Sequence, residues 1–123
     1  NCCPMGQVWY SDPITDFTTG DTLFGEMAST DGGETYTITS STPSSSTELT
    51  VDTSGLTFDW ADVTLEVYSV TDCDQFPTQG VAFTDMKIQS GGEAVSADWT
   101  VQQGSSCHDA VNVVDAVDVS IFA

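Results

Sequence analysis

Glu66 lies in the run Asp62-Val63-Thr64-Leu65-Glu66-Val67-Tyr68, where apolar and polar side chains alternate. Successive side chains of an extended strand point to opposite faces. Asp62, Thr64, Glu66 and Tyr68 would therefore share one face, and Ala61, Val63, Leu65 and Val67 the other. A carboxylate flanked by two hydroxyl donors is suited to general acid or base work, because its hydrogen bonds set its proton affinity. The wet side of a half-buried sheet has the same pattern, and residue types alone do not separate the two.

Other groups with chemical reach are few. Cys2, Cys3, Cys73 and Cys107 form an even set without a Cys-x-x-Cys unit, which reads as two disulfides rather than a zinc site. Adjacent cysteines bridge each other only under strain, so Cys2 and Cys3 are each expected to reach one of the distant pair. Two connectivities satisfy this, and either staples the N-terminus to later segments. His108, the only histidine, has no second imidazole with which to hold zinc. Acids pair at Asp72/Asp74 and Asp115/Asp118, but not in the Asp-x-Asp-x-Asp-Gly order of a calcium loop. A solvated surface is the plainer reading of both pairs, and no metal or other cofactor is expected.

Charge narrows the function classes. Nineteen Asp and Glu stand against one basic residue, Lys87, giving a formal net charge of −18 on 123 residues. Such self-repulsion opposes compaction near neutral pH and fades as carboxylates take up protons. It points to acidic surroundings, high salt or bound cations. It also implies carboxylate pKa values raised in the folded state, hence a melting temperature higher near about pH 4 than near about pH 8. One lysine cannot neutralise a phosphate backbone or an anionic leaflet, which excludes nucleic acid and membrane as partners.

The elements that must position these groups are strands. A hydrophobic fraction of 39% with three Trp, three Tyr and six Phe supports a core, and the length fits one domain spanning residues 1–123. No apolar run approaches the roughly 20 residues that span a bilayer, and no charged-then-apolar leader opens the sequence. A mature secreted chain starting at Asn1 is the expectation. Period-two alternation predicts strands at residues 7–11, 22–27, 35–40, 46–51, 62–70, 80–87, 99–102 and 111–122, with no helix. Turns fall at Gly20-Asp21, Asp31-Gly32-Gly33, Ser54-Gly55 and Gly91-Gly92. The Ser/Thr-rich run from Thr39 to Thr47 around Pro43 reads as a hairpin with a soft tip rather than a glycosylated linker. Short strands at this spacing predict an all-β antiparallel sandwich.

Five short motifs then carry a resemblance. Trp9-Tyr10-Ser11-Asp12-Pro13, Thr19-Gly20-Asp21-Thr22, Tyr36-Thr37-Ile38-Thr39, Ala61-Asp62-Val63-Thr64-Leu65-Glu66 and Val81-Ala82-Phe83-Thr84-Asp85 follow one another along the chain. In that order they resemble the later part of the glutamic peptidases, the eqolisins, a family of secreted fungal acid endopeptidases. The resemblance implies a concanavalin-like or jelly-roll pair of antiparallel sheets. It also implies a catalytic glutamate at Glu66, acting as general acid and base toward an attacking water. The family carries its catalytic glutamine and a substrate-lining tryptophan before the Trp-Tyr strand, whereas eight residues precede Trp9 here. That region is therefore expected to be missing, and Gln7, which shares a strand face with Trp9, is the one local amide to stand in. Losing an oxyanion donor typically costs on the order of a hundredfold in rate.

The resulting expectation is a secreted, non-catalytic binding or interaction module with Trp9 and Tyr68 on its binding surface and a protein or peptide as ligand. The alternative is an acid endopeptidase using Glu66. A third reading, a cation- or sugar-binding sandwich, rests on the two acid pairs. Strands absent from a sandwich leave unpaired edges, so self-association into a homodimer across exposed sheet edges is also expected.

Overall fold

A computed structural model describes residues 8–53, 56–65, 68–76, 79–102, 107 and 110–122. The chain divides into two compact units, Asn1–Asp59 and Trp60–Ala123. Its sheets are antiparallel throughout, and the only helical element among the described residues is a single 3-10 turn.

In the first unit, β1 (Phe24–Ala28), β2 (Thr35–Ser41) and β3 (Ser46–Asp52) form a meander in the order β1-β2-β3. β2 and β3 are rich in threonine and aliphatic residues, which suit a pleated half-buried surface. Register places Met27 opposite Ile38 and Ile38 opposite Leu49, an apolar row across one face. The other face carries Thr37 opposite Thr50, their hydroxyls 3.2 Å apart, and a row of Glu26, Thr39 and Glu48. Tyr36 meets the Phe58 ring edge to face, with centroids 5.1 Å apart. Buried Thr53 ends β3: its hydroxyl donates to the Gly33 carbonyl at 2.9 Å, and its N–H donates to the Glu34 carbonyl at 2.8 Å.

In the second unit, β4 (Val81–Phe83), β8 (Val119–Phe122) and β7 (Ala110–Val113) form a sheet in the order β4-β8-β7. Central β8 supplies the core residues, Val119 and Ile121. Ile121 lies opposite Val81 and Val111, and Val119 opposite Phe83 and Val113, so one apolar face runs across three strands. β5 (Ile88–Ser90) and β6 (Glu93–Val95) make a separate hairpin across Gly91-Gly92, both at positive φ.

The single strand predicted at 111–122 is two strands joined by a tight turn. The Asp115 carboxylate accepts the N–H groups of Val117 and Asp118, and this local competition reverses the chain. The described residues of the strand predicted at 62–70 belong to none of the sheets, and Ser69 adopts a positive φ of 59°. Alternation is kept, with Val63 and Leu65 half-buried beside exposed Asp62 and Thr64. Period two thus reports half-burial without guaranteeing pairing. Residues 8–11 and 99–102 likewise lie outside the sheets. The predicted absence of helix is corrected by the 3-10 turn Cys73–Gln75, where the Gln75 side-chain oxygen accepts the N–H groups of Thr71 and Asp72.

Disulfide pairing also departs from expectation. Cys73 bonds Cys107, with Cα atoms 5.3 Å apart and 34 residues of separation. The two distant cysteines are each other's partner, so neither holds Cys2 or Cys3, which lie outside the described residues. The inference failed because excluding a bridge between neighbours says nothing about the other two thiols.

Candidate functional site

The expected catalytic pair, Glu66 and Gln7, falls outside the described residues, as does His108. On the near side of Glu66, Asp62 and Thr64 are exposed on chain outside the sheets. The two aromatic candidates are exposed and belong to different units: Trp9 at 40% in the first, Tyr68 at 77% in the second. Other large side chains share this exposure, among them Tyr10 at 83% and Trp60 at 76%.

Of the acids paired in sequence, Asp115 and Asp118 serve the backbone. Asp115 builds the β7–β8 turn, and the Asp118 carboxylate accepts the Asp85 N–H at 3.0 Å. Asp72 accepts the Thr71 hydroxyl beside the 3-10 turn. Among the described residues no three His, Cys, Asp or Glu are grouped to hold a metal ion.

Two carboxylates that sequence reasoning did not single out have the most organised surroundings. Asp31 accepts the Thr35 hydroxyl at 2.6 Å, the Thr35 N–H at 3.0 Å and the Ser29 hydroxyl at 2.7 Å. Ser29 Oγ in turn accepts the Gly33 N–H at 2.9 Å. Donation from the Thr35 side chain, then its backbone, then Ser29 holds the Asp31 carboxyl well below the usual carboxylate range. Asp16 accepts the Ser45 hydroxyl at 2.5 Å and the Ser44 hydroxyl at 2.9 Å, which lowers its pKa, Ser45 contributing most. The shift expected from crowded charge is upward; at these two residues donated hydrogen bonds reverse it. The signal was legible as Asp and Ser/Thr at turn spacing, Ser29-x-Asp31 with Thr35 four residues on.

Asp16 also borders a cleft of about 470 Å³ in the first unit, walled by Asp12, Ile14, Ser45, Thr47 and Glu48 among others. This arrangement offers acceptors and hydroxyls. A general acid must hold a proton at working pH, and Asp16 is stabilised in the ionised form that has none. The clamp therefore fixes the β2–β3 tip, where the Thr42 N–H donates to the Ser45 carbonyl at 2.8 Å. The chain matches no protein-family model, no curated protein and no solved structure.

Proposed function

We propose that the chain is a secreted, non-catalytic binding module whose sheets pack as a concanavalin-like sandwich of the glutamic-peptidase type. The observation that carries this reading is the environment of the Glu66 segment. Described residues on both sides of it belong to none of the sheets, Ser69 turns the chain with a positive φ of 59°, and large aromatic side chains stand exposed. Catalysis by a carboxylate and water needs donors held in advance on a rigid element. Exposed aromatic and aliphatic surface instead suits recognition of a protein or peptide. The Cys73–Cys107 disulfide supports an oxidising compartment, and no helix among the described residues is long and apolar enough to cross a membrane.

Cleavage of an unfolded protein between about pH 2 and 7, by the wild-type chain and by Glu66→Gln, tests the reading. No cleavage by either is expected. Acid-confined proteolysis that disappears in Glu66→Gln overturns the module reading and establishes the endopeptidase. Self-association belongs to the same proposal, because β1 and β3 are the outer strands of their sheet and an outer strand presents unpaired N–H and C=O groups. Analytical ultracentrifugation at about pH 4 and pH 7 is expected to show a dimer, and a monomer at both removes this part.

A further inference from the structure

The second unit contains a cleft of about 390 Å³, within the size range of ligand pockets. The β5–β6 hairpin supplies Ile88 and Val95, and the β7–β8 turn supplies Ala116 and Val117, with Met86 and Ala97 between them. Val95 is 46% and Val117 40% exposed, so the aliphatic wall is open to solvent. Two contacts hold the wall together: the Met86 N–H donates to the Val117 carbonyl at 3.0 Å, and the Trp99 indole N–H donates to the Ala116 carbonyl at 3.1 Å.

Among the described residues no Asp or Glu lines this cleft, yet its walls are bordered by them. Asp85, Glu93 and Asp98 are exposed and each the chain neighbour of a wall residue, as are Asp115 and Asp118, whose carboxylates already hold backbone N–H groups. Each of their Cα atoms therefore lies about 3.8 Å from that of a wall residue. Lys87, the only basic side chain, also lines the cleft and offsets part of this charge. An aliphatic floor with a carboxylate rim complements a ligand that is apolar in the middle and positive at its flanks.

We propose that this cleft docks a peptide segment in which aliphatic residues alternate with lysine or arginine, the partner being a basic protein. The proposal rests on the binding-module reading and gives it a partner chemistry. Aliphatic side chains of the segment take the place of water over Val95 and Val117. Its cations meet the rim, and the −18 field of the whole chain speeds their arrival. Lys87 opposes the ligand, a mark of selectivity against still more highly charged partners.

Fluorescence anisotropy of a labelled, amidated Lys-Leu-Lys-Leu-Lys peptide at low salt tests it, with Glu-Leu-Glu-Leu-Glu and Lys-Gln-Lys-Gln-Lys as comparison probes. Binding of the first probe alone is expected, with at least about a tenfold loss when glutamine replaces its leucines. Glu93→Gln with Asp98→Asn should weaken it about fivefold, and Lys87→Gln should tighten it about twofold. Val95→Gln and Val117→Gln should each weaken it, with circular dichroism reporting that the fold is kept. An equal loss from Glu26→Gln with Glu48→Gln, in the first unit, would show that bulk charge attracts the peptide and overturns the cleft. Weaker binding in Lys87→Gln overturns it too, since that is the sign for an anionic ligand. Binding unaffected by both valine changes overturns the cleft while leaving the module reading intact, and no binding of any probe also overturns the proposal. Failure of the module reading is read separately, by acid proteolysis.

Discussion

The Asp31 carboxylate accepts both the N–H and the hydroxyl of Thr35, so one side chain closes the connection between β1 and β2. Gly32 and Gly33 between them adopt φ of +77° and +96°, which lets the chain double back within reach of the carboxylate.

Asp31→Asn is expected to lower the melting temperature near neutral pH, because a neutral amide accepts less strongly and presents one acceptor atom in place of two. The pKa of Asp31 is lowered by folding. Its contribution is therefore complete above the unfolded value of about 4 and declines as pH falls below it. Thermal unfolding of both proteins between about pH 2 and 7 should show the gap between them narrowing in acid. A constant gap would contradict the clamp.

Asp16 gives a local version of the same test, with its pKa also lowered. Asp16→Asn should speed amide hydrogen exchange at Ser44 and Ser45 while leaving Val119 and Ile121 in the other unit unchanged. Asp16 and Asp31 both favour the fold less in acid, against the acid stabilisation expected from the net charge. Wild-type melting near about pH 4 and pH 8 at low salt decides which effect is larger. A higher melting temperature in acid is expected if mutual repulsion among the many remaining acids dominates.

Gly80 precedes β4 at φ +71°, and a Cβ there would lie 2.6 Å from the Ile121 carbonyl oxygen and 2.7 Å from the Phe122 ring. Gly80→Ala should therefore separate β4 from β8 and destabilise the fold by about 1–3 kcal/mol in denaturant melts. A neutral result would mean that β4 is not held where Val81 pairs with Ile121.

The Cys73–Cys107 bridge closes a loop of 34-residue separation. By loop entropy alone it contributes about 4 kcal/mol at room temperature. Cys73→Ser with Cys107→Ser should lower the urea midpoint accordingly, and reducing agent should have the same effect on the wild type. Unchanged midpoints would place the two thiols apart in solution.

Sequence pattern located the three-stranded sheet of the first unit well, though not the strand predicted at the unit's start. β2 and β3 fall at the predicted positions because Thr35–Ser41 and Ser46–Asp52 satisfy propensity, alternation and turn chemistry together. The 62–70 segment satisfies alternation alone, and nothing in it specifies a partner strand. The β5 and β6 strands were missed although their Gly91-Gly92 turn was read, since three residues each are too short to show a period. The clamps on Asp31 and Asp16 differ from each other in the same way. Asp31 meets its partners within four residues, whereas Asp16 meets Ser44 and Ser45 about thirty residues away, which only the folded meander brings close.

The disulfide spans more than two anchoring points. β4, β5 and β6 all lie between Cys73 and Cys107, so a single backbone cut anywhere in that stretch leaves both fragments covalently joined. One nick there would leave the pieces tethered, the break becoming visible only on a gel run with reductant.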